Sequence, residues 1–326
     1  MAATPTSSDS SLVTWRGGLD DGALECLDED LTPLVLVDLT TVIGKLSGPK
    51  SWSGQAAAIL AAFGIFLACQ RQLLADHSNL ETTLNTTIAQ FQAACPTNVA
   101  LGHACERLRV CWAKHVGQLD GRELCARLLM EARRWQREST NLQERAASHL
   151  LSALPDRGGV LIAGTAACHP GAAALTGVTN AVSLGRRLSV HLSGSTAQLG
   201  VAWADTALTR AKIPHATIPD VEVSAWFAAR RVQVFLLGAD AIFTDGTVIS
   251  DPGSAALVEL AVAHRAQVII ASPASAIGNS TKNADPSTVV PPSRIHAIVT
   301  EHGVSRAPFV GELIRLQRGD ESHPAV

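Results

Sequence analysis

The chain of 326 residues contains no tyrosine, only 4% aromatic residues and only 17% charged ones. The shortage of aromatics, with its excess of alanine, accords with a GC-rich coding bias and points to no chemistry. The shortage of charge is more informative. Basic residues number 26 against 29 acidic, for a formal net charge of -3, and nowhere do Lys and Arg run together, so the electrostatic footprint of a nucleic-acid partner is missing. Long apolar runs are also missing: the longest, Ala56 to Ala68, is about 13 residues and holds Gly64, against the roughly 20 needed to cross a bilayer, so it reads as a buried helix. The opening MAATPTSSDSS has no basic segment followed by an apolar one, and no secretory or membrane address is visible. Seven cysteines are scattered without a CxxC pair, which fits free buried thiols in a reducing cytoplasm. No GxGxxG, Walker sequence, HExxH or GxSxG is present, so support for a nucleotide cofactor, a metal or a serine hydrolase elbow falls away.

Apolar residues make up 47%, ample for a core in a chain that removes roughly three-quarters of its unfolded surface from water. Two halves differ in rhythm. Residues 1–12 form a polar leader. Residues 13–151 open with two short strands, SLVTWRGG and LTPLVLVDL, and then repeat apolar residues at spacings of three and four from Gly54 to about Leu151, a mainly helical domain. Residues 152–326 alternate short apolar runs with helical segments. The expected strands are Val160 to Gly164, Leu188 to Ser193, His215 to Pro219, Val232 to Gly238 and Gln267 to Ser272, with helices near 171–183, 200–212, 224–230 and 254–265. Apolar strands separated by helices give an α/β fold with a Rossmann-like parallel sheet covered on both faces. Asn279 to Ser293, rich in Ser, Thr, Asn and Pro, reads as a surface loop.

Ligands in such sheets sit beyond the carboxyl ends of the strands. The first strand of the second half ends in GTAACHPG, placing Cys168 ahead of a helix expected to start at Pro170-Gly171, where the helix dipole lowers a thiol pKa. His169 could stabilise a thiolate there. The fourth strand ends in LLGADAIFTDGTV, so Asp240 projects into the crevice, where burial raises its pKa and suits it to proton exchange. Asp245-Gly246 reads as a turn, and Ser193-Gly194-Ser195 as an anion-binding nest.

These segments, over about Thr14 to Pro308, resemble the family that joins methylthioribose-1-phosphate isomerase, ribose-1,5-bisphosphate isomerase and the alpha, beta and delta subunits of translation initiation factor 2B. AAAILAAFGIFLA resembles its Ala-rich helix, CPTNVAL its Arg-Pro-Thr-x-Val-Asn-Leu segment and TEHGV its closing Thr-Glu-x-Gly-Val. CHPGAAA resembles Cys-Asn-Ala-Gly-Ala-Leu-Ala and LLGADAIFTDGTV resembles Gly-Ala-Asp-x-Ile-x-x-Asn-Gly-x-Val, so the resemblance implies Cys168 and Asp240 as the catalytic pair. It implies no cofactor, a sugar-like small-molecule substrate and a homodimer.

The departures fall on the anion clamp. Arg-Gly-Ala-Pro becomes Trp52-Ser53-Gly54-Gln55, Arg-Pro-Thr becomes Cys95-Pro96-Thr97, Glu-Thr-Arg becomes Ser193-Gly194-Ser195, and Asn-Lys-x-Gly-Thr becomes Ser250-Asp251-Pro252-Gly253-Ser254. Each lost Arg or Lys removes a charge-assisted hydrogen bond worth roughly 1.5 to 3 kcal/mol to an anion. The expected substrate-binding residues are therefore Ser53, Gly54, Ser193, Ser195, Ser250 and Asp251. The pattern implies an aldose-ketose isomerase with an altered substrate; the alternative is a non-catalytic regulatory or ligand-sensing subunit.

Overall fold

The computed structural model describes residues 12–47, 52–75, 79–194, 198–278 and 284–318. Three antiparallel strands open the fold, β1 (Val13–Arg16), β2 (Ala23–Leu27) and β3 (Pro33–Leu36), followed by five helices, α1 (Leu39–Gly44), α2 (Gly54–Ala75), α3 (Leu80–Ala94), α4 (Val99–His115) and α5 (Gly121–Leu150). Helix α2 has 22 residues, past the 13-residue run at both ends, and by length and composition alone it could cross a membrane. It is instead the centre of the helical core: Gly54 to Gln70 are all buried, and α3, α4 and α5 surround it. Asp120 starts α5 with a capping box, accepting from the Glu123 N–H while the Glu123 carboxylate accepts from its own.

The second half alternates strand and helix: β4 (Arg157–Ala163), α6 (Thr165–Cys168), α7 (Ala173–Ser183), β5 (Arg187–Ser193), α8 (Leu199–Arg210), β6 (His215–Ile218), α9 (Val223–Ala228), β7 (Val234–Leu237), β8 (Ala241–Phe243), β9 (Val248–Ile249), α10 (Ser254–Ala263), β10 (Gln267–Ala271), β11 (Ile277–Gly278), β12 (Val289–Val290), β13 (Ala297–Thr300), β14 (Gly303–Ser305) and α11 (Val310–Arg318). The main sheet has the order β14-β13-β10-β7-β4-β5-β6, parallel except for β14. Alternate residues of β4 serve opposite faces. Val160 and Ile162 pack with Leu150 of α5 and Val178 of α7, while Leu161 and Ala163 join the core that holds Phe227 of α9, Val258 of α10 and Leu313 of α11. Both faces are thus covered, as an apolar parallel sheet requires.

From β4 the chain winds outward through β5 and β6, then crosses back to wind the other way through β7, β10 and β13. The boundary between β4 and β7 is therefore the topological switch point, where a crevice opens beyond the strand ends. The two halves are joined beside it. Trp203 of α8, fully buried, lies edge-on to Trp52 at 5.3 Å between ring centroids and donates its indole N–H to the Asp28 carbonyl at 2.7 Å.

The five expected strands of the second half are present, but a second sheet, β11-β8-β9-β12, was not foreseen, nor were β13 and β14. The expected surface loop Asn279 to Ser293 is corrected in its described part: β12 pairs with β9, with Thr288 and Val290 buried. The first part of that loop, 279–283, lies outside the described residues.

Candidate active site

The site is assembled where three turns meet at the switch point. Strand β4 ends in Gly164 and passes directly into the single turn α6. Strand β7, its parallel neighbour with Ala163 opposite Leu237, ends in Gly238-Ala239-Asp240. The hairpin β8–β9 then returns the chain to Ser250 and Asp251, closed by the Asp245-Gly246 turn in which the Asp245 carboxylate accepts the Thr247 N–H at 2.8 Å.

Close backbone contact holds the turns together. A Cβ on Gly238 would lie 2.4 Å from the Ala166 carbonyl carbon, so only glycine lets β7 and α6 approach this closely. Gly164 has φ +84, and a Cβ there would lie 2.4 Å from Asp251 Oδ2.

Asp240 and Asp251 are both partly buried and both are pushed upward. Asp240 rises to about 7, first because burial disfavours its charge and second because of the charge of Asp251; the Gly54 N–H, donating to Asp240 Oδ1 at 2.5 Å, opposes the shift. Gly54 is in turn fixed by Asn98, which donates from Nδ2 to the Gly54 carbonyl at 3.0 Å and caps α4 through the Leu101 N–H. Asp251 is also raised, by burial, against hydrogen bonds from Ala166, Thr165 and Ser53 that favour its charge. The Ser53 hydroxyl donates to its Oδ1 at 3.3 Å and the Ala166 N–H to its Oδ2 at 3.3 Å.

Two cavities meet at Asp251. One, of about 280 Å³, is walled by Thr165, Ser193, Gln198, Asp220, Asp251 and Ser254 among others. The other, of about 190 Å³, includes Ser53, Cys95, Asn98, Asp240, Ser250 and Asp251 in its walls. Of the residues expected at the site, Ser53, Asp240, Ser250 and Asp251 thus share one cavity, and Ser193 faces the neighbouring one, its hydroxyl donating to Asp220 at 2.9 Å. The Ser250 hydroxyl donates to the Gly238 carbonyl at 3.0 Å. Ser195 lies outside the described residues. Asp220 and Asn98 were missed by sequence reasoning; the first stands just past the end of β6, the strand-end position that marked Asp240, and the second just before a helix.

Cys168 differs from expectation. It is the last residue of α6, not the residue before a long helix, since α7 begins only at Ala173. It is fully buried among Ala167, Ala173 and Val178 and is absent from the walls of both cavities. Burial, reinforced by the Asp251 charge, pushes its thiol well above the ordinary range, so the expected lowering by a helix dipole is overturned. His169 offers no cation to a thiolate: burial drives it down to about 4, and Nδ1 faces the Pro170 carbonyl at 3.0 Å. Among the described residues no three His, Cys, Asp or Glu side chains gather as a metal site would require.

The fold recurs in known proteins. The crystal structure of 5-methylthioribose 1-phosphate isomerase from Pyrococcus horikoshii OT3 superposes with a TM-score of 0.72, at 17% identity, over 95% of this chain and 96% of that one. The delta subunit of translation initiation factor eIF-2B from A. fulgidus gives 0.69, at 19% identity, over 94% and 99%. In sequence, the methylthioribose-1-phosphate isomerase of Gemmatimonas aurantiaca is 27% identical over 86% of this chain and 83% of its own. The 5-deoxyribose 1-phosphate isomerase of Moorella thermoacetica is 27% identical over 94% and 97%. The model of the Initiation factor 2 subunit family matches residues 51–289, well over half of the chain and every turn of the crevice, and the chain belongs to that family.

Proposed function

We propose that the protein is an aldose-ketose isomerase acting on a pentose or pentose-like substrate, with Asp240 and Cys168 as its proton-transfer groups. The observation that carries this reading is Asp240 itself: a carboxyl group at the switch point, in the wall of a cavity, raised to about 7 and so able both to give and to take a proton at neutral pH. The sequence relatives named as sugar-phosphate isomerases support the reaction class.

In this reading the sugar ring opens and hydrogen moves between the first two carbons, by hydride shift or through an enediol. Asp240 exchanges the proton on one side. Cys168, held protonated by burial, acts as a neutral donor on the other side, so the α6 turn must admit substrate before the thiol can act. Ser53, Gly54, Ser193, Ser195, Ser250 and Asp251 form the proposed substrate shell. The protein is further proposed to be a cytoplasmic homodimer; sedimentation giving only the 34.1 kDa species at micromolar concentration would remove the dimer.

The test is a panel of aldopentoses and their phosphates followed by NMR for conversion to ketose. The second reading, a non-catalytic subunit, is favoured by the complete burial of Cys168 and by the fold shared with initiation factor 2B subunits. No turnover across the panel, with a stable protein complex recovered, selects it.

A further inference from the structure

The walls of the two cavities carry one sign of charge. Asp220 and Asp251 line the larger and Asp240 and Asp251 the smaller, and among the described residues neither contains a Lys, Arg or His. Asp251 belongs to the walls of both. Its carboxylate is held in place by the Ser53 hydroxyl and the Ala166 N–H, donors that favour its charged form against burial and supply no counter-charge. A partly buried carboxylate whose cavity walls hold no Lys, Arg or His among the described residues favours a proton or a cationic partner, and its charged form repels a phosphate. The remaining wall groups, Thr165, Ser193, Gln198, Ser254, Asn98 and Ser250, are neutral hydrogen-bonding side chains of the kind that pair with hydroxyls.

From this arrangement we infer that the crevice binds an amine-bearing polyol of pentose size, its ammonium group seated against Asp251 and its hydroxyls on the neutral walls. The inference rests on the proposed sugar isomerase reading for the size and class of the ligand, and replaces a phosphate by a cation as the group that anchors it. Asp251 is the residue that decides between them. The larger cavity, of about 280 Å³, accommodates a five-carbon chain with its substituents.

The test separates binding from turnover by using polyols that cannot isomerise. Calorimetric titration of the full chain at pH 8 with 1-amino-1-deoxyribitol, ribitol and ribitol 5-phosphate should give an affinity at least tenfold higher for the amine than for ribitol, and no detectable binding of the phosphate. In Asp251→Asn the amine should lose that tenfold advantage, and in Asp251→Lys the phosphate should bind better than the amine; either variant serves if the other fails to fold. Tighter binding of the phosphate by the unaltered protein, absence of binding by all three, or an unchanged order in the Asp251 variants would overturn the inference. Its failure is distinguishable from failure of the isomerase reading. Turnover of a phosphorylated pentose with phosphate-dependent binding keeps the isomerase and removes the cation site, whereas amine binding without any turnover keeps the site and removes the isomerase.

Discussion

Asp240 and Asp251 face one crevice from consecutive turns, and the charge of Asp251 is the second cause, after burial, of the rise of Asp240 to about 7. Asp251→Asn should therefore lower the Asp240 pKa, while burial keeps it above the ordinary carboxylate range near 3.8. Titration of the carboxyl carbons by NMR checks this. An Asp240 pKa unchanged in Asp251→Asn would show that the two acids do not interact.

Stability should carry the same signature. Asp240 has a folded pKa above its unfolded one, so its contribution is fully present below about 3.8 and is lost as pH rises through about 7. His169 has a folded pKa near 4, below its ordinary 6.5, so its contribution is present above 6.5 and lost as pH falls toward 4. The two oppose each other between 4 and 6.5. Asp240→Asn removes only the first, leaving a neutral side chain of the same shape. The variant should gain on the unaltered protein as pH rises from 5 to 8, by about 3 kcal/mol in chemical denaturation. A difference independent of pH would mean that Asp240 titrates normally.

Two glycines separate backbone strain from crowding. Gly164 and Gly253 have nearly equal φ values, +84 and +86, but a Cβ at Gly164 meets Asp251 Oδ2 at 2.4 Å and one at Gly253 meets no atom within 4 Å. Gly253→Ala should cost about 1 kcal/mol, the lower end of the range for a non-glycine residue in this region. Gly164→Ala should cost at least twice that, because it also displaces the carboxylate. Equal denaturation midpoints for the two variants would contradict the close packing of β4 against the Asp251 turn.

Cysteine reactivity should follow burial. Cys168 is fully buried with a raised pKa, whereas Cys111 is only partly buried. Mass spectrometry after iodoacetamide treatment at pH 8 should find Cys111 modified in the native protein and Cys168 modified only after denaturation. Rapid modification of native Cys168 would show an open α6 turn and an accessible thiolate.

Much of this architecture was legible because its signals are local. Apolar runs such as VQVFLLG mark parallel strands, and the glycines ending them mark the crevice, so Asp240 could be placed before any contact was known. The strands of the second half that escaped are short: β8, β9, β11, β12 and β14 have two or three residues each and β13 four, and their pairing is fixed by tertiary contacts rather than by periodicity. The environment of Cys168 also escaped. The sequence shows a thiol near a Pro-Gly pair, but whether it meets a helix dipole or the packed side chains of α7 depends on a single turn, α6, that four residues cannot announce. Asp251 appeared only as a substitute in the anion clamp, and its coupling to Asp240 arises from the β8–β9 hairpin that brings two positions eleven residues apart to one cavity.

The most direct measurement is aldose-to-ketose conversion of a pentose and aminopentose panel in D2O, followed by NMR for the unaltered protein and for Asp240→Asn. The account predicts conversion by the unaltered protein and a rate lower by about 10²-fold or more in the variant, the usual loss on removing an acid/base group. Conversion at the same rate by both proteins, or by neither, would contradict it.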